Sequence, residues 1–433
     1  MHSLISDYLH EIMTDSSSSE GGTVADYIPE LKKMDPNLLG IALCTLNGHL
    51  YSTGDDTAPF TIQSMSKPFV YAAALKEHGL DKVLDVVDVE PSGEAFNELS
   101  LDDETGRPLN PMINAGAIAV NQLILGEEAA VEDRIAHIRD FFSRLAGREL
   151  EINQRVADSE IEHADRNLSL AHMLRSYEVI QDSAHDAVRG YIEQCSIEVT
   201  VRDLAVMAAT LAGGGTQPVT GERILSPAVA RQVQAVMASA GMYDAAGRWM
   251  TTVGIPAKSG VSGGMLGTMP GQLGLATFSP PLDKKGNSVA GARIFQNLSQ
   301  DMGLHLMSTE PYGIQTVRSI RTARNYTVVR LQGYINFAAA ERFVSRIGEA
   351  KIKTKSFVLE LARVSGVNGV GRRMMLEELR RIRNSGVEVW IFDPENVLPD
   401  PDLGDGTYPR KQSRRAAFAL LDDLRRSAST PTE

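Results

Sequence analysis

The chain of 433 residues carries a formal net charge of −12 and is 43% hydrophobic and 23% charged. That is the balance of an ordinary globular protein of two or three domains, and its acidity argues against nucleic acid or an anionic membrane surface as the main partner. No run reaches the roughly 18 apolar residues of a membrane-spanning helix, and two cysteines and nine histidines without ligand spacing leave no metal and no cofactor to expect.

Residues 1–22 are polar, pass through a serine tract and end in Gly21-Gly22. They read as a flexible lead-in without the basic-then-apolar order of a signal peptide. Two cysteines fit a reducing compartment, so a cytoplasmic protein is expected. Strands are predicted at 40–45 and 49–52. Helices follow at 64–78, stopped by Gly79, and at 114–125, 132–148 and 201–212, the last capped by Thr200. Residues 263–279 alternate glycine with apolar residues, as buried strands of a central sheet do, and a Pro-Pro turn leads to a helix at 290–304. After Pro311-Tyr312-Gly313 the pattern becomes strand 327–331, helix 338–347, strand 356–361, helix 372–385 and strand 387–392. This alternation is a compact α/β domain of its own. A basic amphipathic helix is predicted at 414–426. The expected divisions are therefore 1–22, 23–308 and 324–430.

Ser64-Met65-Ser66-Lys67, at the head of the 64–78 helix, can turn an unreactive hydroxyl into a nucleophile. Pro68 fits only a first helical turn, which places Ser64 near the N-cap and Lys67, three residues on, on the same face. A lysine desolvated in a pocket favours its neutral amine and can take the serine proton. Serine is also a common N-cap, and the purely structural reading stays open at this point.

Lys258-Ser259-Gly260 resembles the Lys-(Ser/Thr)-Gly strand that borders the active-site serine of sheet-based acyltransferases. Together with Ser-x-x-Lys it suggests a β-lactamase or penicillin-binding-protein type of fold. Asn110-Pro111 and Asn114 head a small-residue helix; Asn114 is either its N-cap or a substrate-facing amide. The polar run from Glu160 to Asn167 reads as solvated surface, although a helix would carry both ends on one side. Tyr27 and Tyr191 pass as ordinary aromatics, while Tyr243 follows a Gly-Met turn, a common place for a functional hydroxyl.

Taken in order, these segments resemble the serine-dependent glutaminase family. The matching strings are Ala-Asp-Tyr-Ile-Pro at 25–29, Gln63 to Lys67, Asn110 to Ala117, Asp165-Arg166-Asn167, Gln194 to Thr200 and Met207 to Ala212. Gly241 to Asp244, Pro256 to Val261 and Ser279 to Asp283 complete the set. The resemblance implies an α+β domain of the serine β-lactamase/DD-peptidase kind, with a central antiparallel sheet, flanking helices and a helical subdomain. It also implies hydrolysis of L-glutamine to L-glutamate and ammonia through an acyl-enzyme. Ser64 would be the nucleophile, Lys67 the general base and Tyr243 the proton relay, with the backbone N–H groups of Ser64 and Val261 as oxyanion hole. Tyr27, Gln63, Asn114, Glu160, Asn167, Tyr191 and Val261 would hold the substrate. Glu160 would take the α-ammonium, and the neutral donors of Asn114, Asn167 and Tyr191 the α-carboxylate.

The second domain resembles the STAS family, on the strand Val358 to Leu361, the turn Val367 to Gly371, the helix after it and the strand from Val387. Many such domains carry a phosphorylatable Ser or Thr in that turn; here it holds only Val, Asn and Gly. A docking or oligomerising role is therefore expected, with a homo-oligomer (dimer or tetramer) and a protein partner of this domain. Two rival readings are a penicillin-recognising hydrolase or peptidase and a catalytically idle regulator. The first lacks an evident Ser-Asp-Asn element, and the second would have lost Ser64 or Lys67.

Overall fold

The computed structural model of the chain describes residues 4–17, 21–93, 98, 101–102, 104–126, 128–308, 316–323 and 325–411. The basic helix expected at 414–426 lies outside them. Two compact units emerge, 1–300 with 304–307 and 301–303 with 308 onward.

The first unit opens with Leu4–Ser16 (α1), a helix where a flexible lead-in was expected. Ile5, Leu9 and Ile12 recur at helical spacing and are buried, so the segment is held by an apolar stripe that its serine-rich composition conceals. Pro29–Lys32 (α2) follows. The strands Gly40–Thr45 (β1), Leu50–Gly54 (β2), Ala257–Ser259 (β5), Gly264–Met269 (β6) and Leu273–Phe278 (β7) form an antiparallel sheet in the order β2-β1-β7-β6-β5. Every residue of β1, β5, β6 and β7 is buried, which explains the glycine-apolar composition of 263–279.

One face of the sheet is covered by Val201–Ala212 (α9), started by the capping box of Thr200 and Asp203. A Cβ on Gly274 would lie 2.2 Å from Ala209 N, so this helix reaches the sheet only because β7 has a glycine there. Strand alternation turns Gly267 to the other face, where Phe295 of Val289–Met302 (α12) packs against it.

Two further strands, Phe60–Thr61 (β3) and Glu198–Val199 (β4), pair beside the main sheet. They deliver the chain into the 3-10 turn Gln63–Ser66 and then Lys67–Leu84 (α3). Gly79 breaks α3 with φ 77 and ψ 169, where the sequence places its stop. A helical layer completes the unit: Asn114–Leu123 (α4), Val131–Ala146 (α5), Gln154–Glu162 (α6), Asp165–Ser176 (α7) and Ala184–Cys195 (α8). The small residues of α4 let α7 and α8 close on it around one apolar cluster. Pro227–Ala240 (α10) and Ala246–Thr252 (α11) lead to β5.

In the second unit, Val317–Ala323 (β8), Tyr326–Ile335 (β9), Ser356–Val367 (β10), Glu388–Phe392 (β11) and Arg410–Lys411 (β12) form a sheet in the order β12-β11-β10-β9-β8. Only β8 is antiparallel to its neighbour. Phe337–Ala350 (α13) and Gly369–Asn384 (α14) are the crossovers that parallel pairing demands. The turn before α14 is built for capping: Asn368 Oδ1 accepts from Gly371 N at 2.8 Å. Among the described residues no helix is long and apolar enough to cross a membrane.

Candidate active site

Ser64 is not an N-cap. It lies half-buried in the 3-10 turn, and Lys67 is the first residue of α3. A 3-10 turn has three residues per turn, so positions i and i+3 eclipse and the pair still shares one face. The turn is anchored on both sides. Ile62 N donates to Ile197 O at 2.8 Å, and β3 stacks Phe60 on Phe278 with ring centroids 4.0 Å apart. Gly260 closes the other wall: a Cβ there would sit 3.1–3.2 Å from Ile62, Gln63 and Met65. The glycine of Lys-Ser-Gly thus lets the end of β5 approach the serine turn.

Gln63 and Tyr243 both hold left-handed backbone conformations (φ 51 and 53). For non-glycine residues this costs about 1–2 kcal/mol each, and such outliers concentrate at functional sites. They flank the same group. The Ser64 side chain hydrogen-bonds Tyr243, and Lys67 Nζ lies 3.3 Å from the Tyr243 hydroxyl oxygen. The amine therefore communicates with Ser64 through the phenol. Lys67 is 1% exposed, and burial pulls its pKa down to about 7. Burial pushes the Tyr243 phenol up, opposed by its bond to Ser64.

Asn114 is the first residue of α4, not its cap, and sits at the centre of the polar network. Its Oδ1 accepts from Lys67 Nζ at 2.6 Å and from the Tyr191 hydroxyl at 3.2 Å, while its Nδ2 donates to Asn167 Oδ1 at 3.0 Å. Glu160 and Asn167 do not share a helix, since the chain breaks at His163 and Ala164 between α6 and α7. Glu160 Oε1 accepts from Gln63 Nε2 at 2.6 Å and from the Tyr27 hydroxyl at 3.2 Å. Desolvation raises the Glu160 pKa to about 7 against the pull of those two bonds. Tyr27 is 48% exposed as a residue, as a surface aromatic would be, yet its hydroxyl is committed to this carboxylate. Val261 follows Gly260 in the turn after β5, its side chain packed with Ile28, Leu31 and Val156.

Lys258, Ser66, Asn121 and Gln194 join this set without having been expected in it. Lys258 is fully buried, with Nζ 3.8 Å from the Tyr243 ring centroid and donating to Ser259 O at 2.9 Å. Burial, then the neighbouring Lys67, holds its pKa well below the usual lysine value. Behind the serine turn, Asn121 Nδ2 donates to Gln194 Oε1 at 2.8 Å, and Gln194 Nε2 donates to Ser66 Oγ at 2.9 Å. The Lys-Ser-Gly triplet is a signal for the first; nothing in sequence spacing links 66, 121 and 194. Among the described residues no group of three or more His, Cys, Asp or Glu side chains is arranged to hold a metal ion. The arrangement can lower a hydroxyl's barrier to attack and bind one ammonium group.

The comparisons with known proteins agree over both units. A family model described as Glutaminase matches residues 22–307, and one described as STAS domain matches residues 317–398. The glutaminase of Corynebacterium efficiens is 58% identical over 403 residues, 93% of this chain and 95% of its own length. That of Corynebacterium glutamicum is 59% identical over 408 residues, 94% and 98% of the two chains. Among solved structures, Mglu is similar with a TM-score of 0.71 and 49% identity, covering 92% of this chain and 100% of that one; Mglu in its glutamate form has the same TM-score, 46% identity and the same coverage. The chain belongs to the glutaminase family and carries a STAS domain after its glutaminase domain.

Proposed function

We propose that the enzyme hydrolyses the side-chain amide of L-glutamine through a seryl ester on Ser64. The observation that carries this reading is a buried lysine with its pKa drawn to about 7, joined to a half-buried serine through one tyrosine hydroxyl. The Ser64 oxygen adds to the amide carbon. Its proton passes to the Tyr243 oxygen as the phenolic proton passes to Lys67 Nζ. Because burial disfavours free tyrosinate, the two transfers belong to one concerted shift. The backbone N–H groups of Ser64 and Val261 hold the oxyanion, a donor of this kind contributing about 2.7–4 kcal/mol. Collapse breaks the C–N bond, and the proton returns along the same chain to the departing ammonia. Water, deprotonated along the same route, then opens the ester to L-glutamate and regenerates Ser64.

Glu160 is the group for the α-ammonium, pre-oriented by Gln63 and Tyr27. Asn114 is engaged by three neighbours and acts as the hub that positions Lys67, Tyr191 and Asn167. The α-carboxylate is then taken by the amide Nδ2 of Asn167, and by the hydroxyl of Tyr191 once it turns its hydrogen from Asn114 to the substrate. Glu160→Gln removes the charge but not the shape, and we expect KM for L-glutamine to rise about 10–100-fold with a smaller change in kcat. A kcat loss with unchanged KM would remove Glu160 from the substrate clamp. The proposal as a whole is tested by ammonia release from L-glutamine against L-asparagine, with Ser64→Ala beside the wild type.

The STAS domain is proposed to assemble subunits or dock a protein rather than take part in chemistry. A chain ending at residue 308 is expected to keep kcat within about two-fold and to sediment as a smaller oligomer. Loss of activity together with assembly would show that the site depends on that domain.

A further inference from the structure

A cavity of about 260 Å³ lies next to the candidate active site, between α2, the start of α6, the β3–β4 pair and the turn after β5. One water needs about 10–15 Å³, and drug-sized sites begin near roughly 300 Å³, so this space suits a small metabolite. No active-site side chain named above lines it, but its walls adjoin them. Thr61 accepts from the Gln63 amide at 3.2 Å, Leu31 and Val156 pack in the Val261 cluster, and Ser262 follows Val261 in the chain.

Two lining residues carry a buried polar atom that no described residue satisfies: Ser262 Oγ, on a side chain 2% exposed, and Glu30 Oε2. Buried polar atoms are rarely left so in folded proteins. The cations on the wall are Lys33 and Arg155, both close enough to draw on the Glu30 carboxylate. Lys33 and Arg155 stand at the rim, and α6 turns its N-terminal amides to the same place, where Asn153 caps only Val156 N. Each wall carboxylate has one oxygen engaged, Glu198 with Asn153 Nδ2 at 2.9 Å and Glu30 with the Ser159 hydroxyl, and it is the second oxygen of Glu30 that is buried without a partner among the described residues. Leu31, Met34 and Phe60 form the apolar wall.

We infer that this cavity is a second ligand site, for an α-amino acid with an apolar side chain. Its carboxylate lies at the α6 N-terminus beside Arg155 and Lys33 with Ser262 donating to it, its ammonium on Glu30, and its side chain against Leu31, Met34 and Phe60. Such an occupant braces the turn of Val261 and the segment of Gln63 from behind, so it changes turnover without entering the active site. The inference does not rest on Ser64 as nucleophile, because binding is read without catalysis.

The test is calorimetric titration of L-leucine into the full chain held in saturating L-glutamate. Saturable binding in the millimolar range is expected, about tenfold weaker in Arg155→Ala and in Ser262→Ala and unchanged in Ser64→Ala, with leucinamide, which lacks the carboxylate, not binding. Saturating L-leucine is expected to shift kcat for L-glutamine two-fold or more in wild type and not in Arg155→Ala, whose basal turnover is intact. Absence of saturable heat, equal affinity in both cavity variants, or heat that appears only without L-glutamate would each overturn the site. Binding that leaves kcat untouched would overturn the coupling.

Discussion

Ser64→Ala is expected to lower kcat for ammonia release from L-glutamine by about 10⁵–10⁶-fold while leaving the fold and substrate affinity nearly intact. In the proposed mechanism nucleophile, relay and base act as one unit, so removing the first forfeits nearly the whole advantage of the covalent route. What survives is the oxyanion hole and substrate positioning, worth roughly 10³–10⁴ over water in comparable enzymes. The substitution deletes one oxygen from a half-buried position, and Tyr243 keeps its contact with Lys67. A thermal melt should therefore superpose on wild type, and calorimetry should return a similar Kd for L-glutamine. A diazo-ketone analogue of L-glutamine should add its mass to the wild-type peptide containing Ser64 and to no peptide of the variant. Turnover close to wild type in Ser64→Ala, or an adduct on another residue, sinks the mechanism.

Local spacing explains which parts of the site are legible in the sequence. Ser64 and Lys67 lie three apart in one turn, Thr200 caps the helix it precedes, and the glycine-apolar run of 263–279 becomes two buried strands. Each of these depends on neighbours in the chain. Legibility fails where contact is long-range or periodicity is masked. Tyr27 meets Glu160 across 133 positions, and Lys258 meets the Tyr243 ring through the placement of β5 against the 3-10 turn. The split of Glu160 and Asn167 onto two helices depends on a break at His163–Ala164 that no proline or glycine announces. At the N-terminus, four serines in a row outweigh the Ile5, Leu9 and Ile12 stripe in any reading by composition. The resemblance to glutaminases supplies Tyr27 and Tyr191 where residue chemistry alone leaves them ordinary.

Lys67→Met should lower kcat about 10³-fold near neutrality and remove a limb from its pH profile. In the proposed mechanism the amine must be neutral to accept a proton, and burial brings its pKa to about 7, so kcat is expected to rise as pH passes from about 6 to 8. Glu160, raised to about 7 by desolvation, would in the proposed clamp have to be ionised to bind the ammonium and is expected to push kcat/KM in the same direction. The two separate at saturation, because the bound ammonium keeps Glu160 ionised throughout. The variant should thus lose the limb in kcat and retain it in kcat/KM. The stability contribution of this amine moves with pH in the same direction as activity. The folded pKa of Lys67 lies below its unfolded value of 10.5, so burial of the amine costs stability in full below pH 7, and that cost fades as pH rises from about 7 towards 10.5. Methionine fills similar space without a charge to desolvate. Even without the bond to Asn114, the variant should melt at or above wild type at pH 6. A residual kcat limb near pH 7 in Lys67→Met, or a flat wild-type kcat between pH 6 and 8, would assign the proton transfer to a group other than this lysine.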